Sequence, residues 1–250
     1  EVGDWITPPP EGRDVVLLID TSLTMSIRDF RQGELEVERM TVLKDTLQRF
    51  IDGRSGDRFG VIVFGSEVVT LTPPTFDRVH VAAQIQRIQV GMLGGDTALG
   101  DALGMALKQV RTRRLRPAII LVSDGADNNA GTLTPAESLA VAHQAGVAIH
   151  TLQFGSDPYA AGRGVRLGSN PGEPDPQPDL ADLARLTQGQ HFSIRSADDA
   201  ARVIRAIDVL EPTLSRPAQQ RQVREWYWAA LALAAALLIG ARWHTYRRSA

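Results

Sequence analysis

Runs of branched apolar residues divide the chain and predict buried β-strands. The run Val15–Ile19 has no polar interruption, which is typical of a strand that is covered on both faces of a sheet. This first strand is predicted over 14–20 and ends at Asp20. Comparable runs predict strands over 57–65, 117–123, 147–154 and 191–194, with a hairpin partner over 68–71 that ends at Pro73 and Pro74.

Between these runs, apolar residues recur every three or four positions, which is the period of one helical face. The clearest stripe predicts a long helix over 37–51 that is ended by Gly53. A helix over 135–145 begins after Thr134, and Glu137 three residues later gives the spacing of a capping box. Further helices are predicted over 79–88, 99–110, 180–186 and 203–210.

The alternation of strand and helix predicts an α/β fold. Parallel strands need right-handed crossovers, so we expect a doubly wound, mostly parallel sheet that is flanked by helices in a Rossmann-like arrangement. The 250 residues are 43% hydrophobic, which is enough for one full core, whereas two domains would each be small. We therefore predict one domain over 13–211, preceded by an extended lead-in over 1–12.

The C-terminal segment differs in composition from the rest of the chain. Residues 226–241 carry no charge, and aromatic residues stand at both ends of this stretch. Aromatic belts favour a membrane span over a buried helix. We therefore predict a transmembrane helix over 225–243, between a juxtamembrane linker over 212–224 and a basic tail over 244–250. Three arginines stand on each side, so charge alone does not set the orientation.

A long segment over 155–178 breaks the alternation of strand and helix. It holds five glycines and five prolines but few large apolar residues, which is typical of a long loop. It follows a strand that is expected to end at the same sheet edge as Asp20, so it is a candidate specificity loop. Mobility alone accounts equally well for its composition.

Oxygen-bearing side chains collect where the first strand ends. Asp20, Ser22 and Thr24 alternate there, and open α/β sheets bind their ligands at the carboxyl ends of strands. A carboxylate and two hydroxyls, without sulfur or imidazole, suit Mg²⁺, Mn²⁺ or Ca²⁺ better than zinc or copper. The same residues are also typical turn caps, so these three positions alone leave both interpretations open.

Two later segments carry matching groups. The segment over 94–103 is predicted to open a helix with Thr97 in its first turn, just ahead of the apolar stripe over 99–110, and Asp124 directly follows the buried strand over 117–123. Taken in order, Asp20-x-Ser22-x-Thr24, Thr97 and Asp124-Gly125 resemble the metal-ion-dependent adhesion site (MIDAS) of a von Willebrand factor A (vWA) domain.

This resemblance covers about residues 13–210 and implies a particular site. Its metal ligands are Asp20, Ser22, Thr24, Thr97 and Asp124. Residues near them in the sequence are candidate rim or supporting groups: Gly95, Asp96, Gly125, Asp127 and Asn128. For Asp96, Asp127 and Asn128, capping of helices and turns is the alternative. Thr24 stands where the family most often has serine, so the hydroxyl is kept but a stiff methyl group is added. Domains of this family bind protein ligands through the metal and are not generally enzymes, which implies a binding module.

The donor set favours the same role. If the hydroxyls of Ser22 and Thr24 bind the ion directly while the carboxylates act partly through water, little negative charge touches the cation. Mg²⁺ prefers oxygen ligands, so a carboxylate from a partner protein would complete its coordination. Thr97 lies on a separate segment and offers an element that couples ligand binding to a change of shape.

A narrower resemblance is to the bacterial membrane-anchored aerotolerance (Bat) proteins. It rests on the first motif, on segments 58–64, 96–103, 123–131 and 207–211, and on the terminal hydrophobic helix. It implies an inner-membrane protein whose vWA domain faces the periplasm or is otherwise extracytoplasmic. It also implies other vWA/Bat proteins and a MoxR-type AAA+ ATPase as partners, and some members carry membrane helices ahead of the position of Glu1.

A phosphatase of the haloacid dehalogenase type is the alternative. Such enzymes begin with a buried strand and Asp-x-Asp-x-Thr, in which the first acid is the nucleophile and the second a general acid beside Mg²⁺. Asp20 and Thr24 fit that pattern with Asp20 as nucleophile. Ser22 does not, because a serine hydroxyl cannot supply a proton at neutral pH as a carboxylic acid can. We therefore expect a protein that is not an enzyme.

Composition excludes several other classes of site. The net charge of −2 and the lack of a basic patch with interleaved aromatics give no indication of nucleic-acid binding. The chain has no cysteine, which excludes disulfides, thiolate metal sites and a cysteine nucleophile. The glycines over 91–95 lack both the lysine of a phosphate-binding loop and the spacing of a dinucleotide fingerprint.

Overall fold

The structure is a computed structural model that describes residues 2–6, 13–32, 35–54, 56–110, 117–125, 128–155, 179–210 and 220–223. Contacts divide the chain into two units. One consists of Glu11–Ser215, and the other combines Glu1–Pro10 with Arg216–Ala250.

The strands and helices follow the predicted alternation. The strands are β1 (Val2–Ile6), β2 (Asp14–Asp20), β3 (Phe30–Gln32), β4 (Leu35–Val37), β5 (Arg58–Phe64), β6 (Val68–Thr75), β7 (Ala118–Ser123), β8 (Ala148–Phe154), β9 (His191–Ile194) and β10 (Gln220–Val223). The helices are α1 (Arg39–Asp52), α2 (Arg78–Arg87), α3 (Leu99–Gln109), α4 (Pro135–Ala145), α5 (Leu180–Leu186) and α6 (Ala197–Leu210), with a 3-10 turn at Leu23–Ser26.

Six strands of the larger unit form one sheet in the order β6-β5-β2-β7-β8-β9. All neighbours are parallel except β5 and β6, which confirms the prediction of a mostly parallel sheet. The chain leaves β2 toward β5 on one side and later returns to β7 on the other. The carboxyl end of β2 is therefore the switch point at which open α/β sheets bind ligands.

The two faces of β2 pack against different sets of helices. Val15, Leu17 and Ile19 share one apolar cluster with residues of α1, α2 and α6. Val16 and Leu18 belong to a second cluster with residues of α3, α4 and α5. All five side chains are buried, so both faces of the sheet are covered, as a doubly wound fold requires.

The strand β6 differs from its prediction. The sequence pattern ends it before Pro73 and Pro74, but the strand continues through both prolines to Thr75, so that prediction is wrong. β6 is the last strand of the sheet, and its pairing with β5 shifts register twice between Phe59 and Ile62. An edge strand with an irregular ladder tolerates residues that lack an N–H donor.

The predicted capping box of α4 is confirmed. The Thr134 side chain accepts a hydrogen bond from the Glu137 N–H, while the Glu137 carboxylate accepts one from the Thr134 N–H. Hydrogen bonds from the Thr134 N–H and from the Thr134 hydroxyl to this carboxylate lower the pKa of Glu137 below its ordinary value. The helix ends at Gly146, whose φ of 64° lies in the left-handed region that favours glycine.

The smaller unit contains an antiparallel pair that the sequence pattern does not predict. β1, within the predicted lead-in, pairs with β10, within the predicted linker, and Val2 lies opposite Val223. Among the described residues, no helix combines the length and the apolar character needed to cross a membrane. The predicted transmembrane helix over 225–243 and most of the candidate loop over 155–178 lie outside the described residues.

Candidate metal centre

The predicted ligands meet in one cleft at the carboxyl edge of the sheet. The cleft has a volume of about 120 Å³ and is lined by Asp20, Ser22, Thr24, Gly95, Thr97, Ser123, Asp124, Gly125 and Asn129. These residues come from three segments: the end of β2 with the turn after it, the loop before α3, and the end of β7 with the loop after it. The structure therefore brings together all five predicted ligands, together with the predicted rim residues Gly95 and Gly125.

Asp20 ends β2 and is held from two sides. Its Oδ1 accepts a hydrogen bond from the Ser22 N–H at 2.8 Å, and its Oδ2 accepts one from the Ser123 hydroxyl at 2.5 Å. The residue is only 1% exposed. Burial raises the pKa of Asp20 to about 6; the bonds from Ser123 and Ser22 oppose this rise, and the charge of Asp124 adds to it. A cation in the cleft would stabilise the charged carboxylate.

Ser22 and Thr24 present their hydroxyls side by side on the turn after β2. Ser22 Oγ lies 3.0 Å from Thr24 Oγ1. Adjacent ligands of an octahedral Mg²⁺, with bonds of about 2.0–2.1 Å, lie about 2.9 Å apart. The buried Met25 side chain anchors this turn in the core. The hydroxyl pair therefore fits two neighbouring positions around a small divalent cation.

Thr97 lies just before α3, and the prediction that it occupies the first helical turn is wrong. Its N–H donates to Asn129 Oδ1 at 2.7 Å, and its carbonyl accepts bonds from the N–H groups of Asn129 and Ala130. These bonds tie the Thr97 backbone to the loop after β7, so the helix begins only at Leu99. The side chain is buried and faces the cleft.

Asp124 is paired with an arginine that sequence reasoning missed. The Asp124 Oδ2 accepts a hydrogen bond from Arg39 Nη1 at 2.6 Å, while Nε and Nη2 of the same guanidinium donate to Asp29. Burial lowers the pKa of Arg39, but bonds and charges of Asp29 and Asp124 outweigh burial and raise it above its ordinary value. The sequence does contain one indication of this arginine. Arg39 is a charged residue at the helical spacing of Leu43 and Leu47, where an apolar residue is expected.

The predicted supporting residues differ in what they contact. Asp96 is exposed, and its N–H donates to Ser66 Oγ. Asn128 accepts from the Gly100 N–H in the first turn of α3 and donates to the Leu133 carbonyl, so it links α3 to the loop after β7 rather than lining the cleft. Asp127 lies outside the described residues. The lining residues Ser123 and Asn129 were missed, although each directly neighbours a residue that was predicted.

Comparison with known proteins identifies the domain. Residues 15–126 match the family model of the von Willebrand factor type A domain. The chain contains a vWA domain. This confirms the family resemblance, and vWA domains are typically protein-interaction modules that bind a divalent cation at a MIDAS. The haloacid dehalogenase alternative gains no support from the match.

Solved structures share the fold of this vWA domain at low sequence identity. BatB from Bacteroides thetaiotaomicron is 22% identical with a TM-score of 0.61, and the match covers 80% of this chain and 98% of that one. Proximal thread matrix protein 1 from the mussel byssus, solved with a zinc-occupied MIDAS motif, is 17% identical with a TM-score of 0.59. That match covers 88% of this chain and 50% of the mussel protein.

Curated relatives are longer than the matched region. A UPF0353 protein from Mycolicibacterium paratuberculosis is 30% identical over 206 residues, which is 76% of this chain and 57% of the relative. A match to an uncharacterised protein of Borreliella burgdorferi covers 34% of that relative's length. The chain thus spans about a third to a little over half of the length of these relatives.

Proposed function

We propose that this protein is a metal-dependent protein-binding module. Its divalent cation is held by Asp20, Ser22, Thr24, Thr97 and Asp124, and a carboxylate from a partner protein completes the coordination. The observation that carries this proposal is the convergence of these five residues, from three distant segments, on one cleft. The match to the vWA family model supports the same role.

The modest negative charge of the cleft supports an external carboxylate ligand. Two carboxylates, Asp20 and Asp124, line the cleft, and Asp124 is already paired with Arg39. Within the described part of the chain, no group of three or more His, Cys, Asp or Glu residues is placed to hold a metal. A divalent ion bound mainly by hydroxyls keeps much of its charge, so it attracts an anion.

Mg²⁺ is the proposed ion, with Mn²⁺ or Ca²⁺ as alternatives. All five ligands offer oxygen, and hard cations prefer oxygen ligands. The 3.0 Å separation of the Ser22 and Thr24 hydroxyls matches the small coordination sphere of Mg²⁺ better than the longer bonds of Ca²⁺. The ion would supply positive charge for recognition, and no chemical step is assigned to it.

Isothermal titration of the full chain with MgCl₂ tests the metal site. We expect the wild type to bind Mg²⁺ and Asp20→Ala to lose this binding, because the variant lacks the buried carboxylate that ends β2 and lines the cleft. Asp45→Ala is the matched control, since Asp45 is an exposed carboxylate on α1, and it should bind as the wild type does. Equal heats from the wild type and Asp20→Ala would overturn the proposal.

We also propose a Bat-like cellular setting. The protein would be anchored in a bacterial inner membrane by the segment over 225–243, with its vWA domain in the periplasm or otherwise extracytoplasmic. Its partners would be other vWA/Bat proteins and a MoxR-type AAA+ ATPase. Support comes from the shared fold of BatB and from the uncharged, aromatic-flanked C-terminal sequence.

Cross-linking of the tagged full chain in native membranes tests this setting. We expect mass spectrometry to identify a MoxR-type ATPase or a second vWA protein in the presence of Mg²⁺, with less of it when a chelator is present. With Mg²⁺ or with chelator, the Asp20→Ala chain should recover as little cross-linked partner as the wild type does with chelator. Recovery of the chain in the soluble fraction, or an interaction indifferent to chelator, would contradict the proposal.

A further inference from the structure

A buried arginine forms part of the environment of the candidate metal centre. The Arg39 side chain is 5% exposed, while the carboxylate-bearing side chains on either side, Asp29 and Asp124, are 28% and 13% exposed. The guanidinium contacts Asp29 through Nε and Nη2 and Asp124 through Nη1. It therefore bridges a ligand of the proposed cation and a carboxylate that does not line the cleft.

Three segments fix the position of Arg39. It is the first residue of α1, and its N–H donates to the Ile27 carbonyl at 3.0 Å. Gly155, at the end of β8, lies against the guanidinium, and a Cβ built at that position would overlap the Arg39 side chain. Gly155 also has a φ of 85°, which lies in the left-handed region that favours glycine. The guanidinium is thus held in one place by its surroundings.

The Arg39 charge bears directly on the proposed cation. The hydrogen bond of 2.6 Å to Asp124 is charge-assisted and offsets the negative charge of that ligand. Asp29 occupies the Nε/Nη2 edge of the guanidinium and is partly solvated, so its own charge is better screened. The two carboxylates in the cleft therefore differ. Asp124 is paired with Arg39, whereas Asp20 accepts hydrogen bonds from Ser22 and Ser123 and has no arginine partner among the described residues.

We propose that Arg39 is a positioning residue that orients Asp124 and offsets its charge, so that the bound cation keeps the positive charge that recruits a partner's carboxylate. This inference rests on the proposed function. It predicts that loss of the Arg39 charge changes two affinities in opposite directions. Removing the Arg39 charge should strengthen binding of the metal and weaken binding of a carboxylate to the metal-loaded protein.

Titration of MgCl₂ into full-length variants tests the first affinity. Arg39→Met removes the charge at similar length and should bind Mg²⁺ about tenfold more tightly, the order expected for one unit charge in a partly solvated site. Arg39→Lys keeps the charge but cannot contact both carboxylates in the same forked geometry, so its Mg²⁺ affinity should lie between those of the wild type and Arg39→Met. Asp29→Asn leaves Arg39 less neutralised and should bind Mg²⁺ about tenfold more weakly. Arg28→Met, at an exposed arginine paired with Glu38, is the control and should change nothing.

Fluoroacetate, observed by ¹⁹F NMR, probes the second affinity. It should bind the Mg²⁺-saturated wild type more tightly than Mg²⁺-saturated Arg39→Met. A purely structural role for Arg39 predicts another pattern, in which the Met and Lys variants lose metal and fluoroacetate binding together, and that result would overturn the inference. If Arg39→Met does not fold, Asp29→Asn decides: weaker Mg²⁺ binding with an unchanged circular dichroism spectrum supports the inference, and unchanged or tighter binding overturns it.

The wild type separates this inference from the proposed function. A wild-type chain that takes up no Mg²⁺ contradicts the metal centre itself. A wild type that binds Mg²⁺, together with an Arg39→Met variant that binds it no more tightly, contradicts only the role of Arg39.

Discussion

Three groups of the cleft, the carboxylates of Asp20 and Asp124 and the Thr97 backbone, are each held by a hydrogen bond with a neighbouring side chain. Ser123 donates to Asp20, Arg39 donates to Asp124, and Asn129 accepts from the Thr97 N–H. Such outer contacts orient ligands and set their charge in known metal sites. The proposed affinity for a cation therefore depends on residues that need never touch it.

Ser123→Ala should make Mg²⁺ binding more sensitive to acid. The raised pKa of Asp20, about 6, means that protons compete with the cation below that pH, so wild-type affinity should fall as the pH falls through 6. The Ser123 hydrogen bond lowers this pKa. Its loss should raise the pKa, and the fall in affinity should begin at a higher pH than in the wild type.

Titration calorimetry at several values between about pH 5 and about pH 8 measures this shift. Ser26→Ala is the matched control, because Ser26 is an exposed serine on the neighbouring turn that donates to the Leu23 carbonyl. Identical pH profiles for Ser123→Ala and the wild type would show that the bond to Asp20 does not govern its protonation.

The sequence identifies site residues that end an apolar run, but not residues whose contacts lie far away along the chain. Asp20 and Asp124 can be identified from the sequence because each follows an apolar run, and the carboxyl ends of parallel strands meet at one edge of the sheet. Arg39 contacts Asp124 across 85 positions, and Ser123 contacts Asp20 across 103. No local period encodes such pairs, so they became visible only in the folded chain.

At the scale of elements, burial explains where prediction worked. β2 and β7 are covered on both faces and have uninterrupted apolar runs, so their positions follow from the sequence. The edge strand β6 is only partly buried, and its prolines suggested an earlier end. The hairpin of β3 and β4 has strands of three residues, too short for a period, and is anchored by Phe30 against Phe154 with ring centroids 5.8 Å apart.

The prediction that Thr97 lies in the first turn of α3 is wrong for a related reason. The sequence Gly95-Asp96-Thr97 has polar residues typical of a helix N-terminus. Hydrogen bonds from the loop after β7 to the Thr97 carbonyl hold that backbone outside the helix. Tertiary contacts therefore keep Thr97 outside the helix, which begins where its apolar stripe begins at Leu99, and the same contacts direct Thr97 into the cleft.

At the scale of the whole molecule, the sheet places the cleft where separate parts of the chain meet. The segments at the end of β2, before α3 and at the end of β7 line it together. The packed sheet and the hydrogen bonds between these segments bring them close. The two apolar clusters on either side of β2 maintain this geometry. A cation bound by all three segments would bind the folded chain and have no comparable site in the unfolded chain.

Mg²⁺ should therefore raise the thermal unfolding midpoint of the full chain. A ligand at about 100 times its Kd adds about 2.7 kcal/mol to the free energy of unfolding. For a domain of this size that gain corresponds to a rise of roughly 5–10 °C. Thermal melts followed by circular dichroism, with MgCl₂ or with a chelator, measure the difference. Asp20→Ala should show the same midpoint under both conditions, because it lacks the buried carboxylate that ends β2. A rise of equal size in Asp20→Ala would mean that Mg²⁺ stabilises the chain by binding at another site. The convergence of the three segments would then be a feature of the fold and not evidence of a metal site.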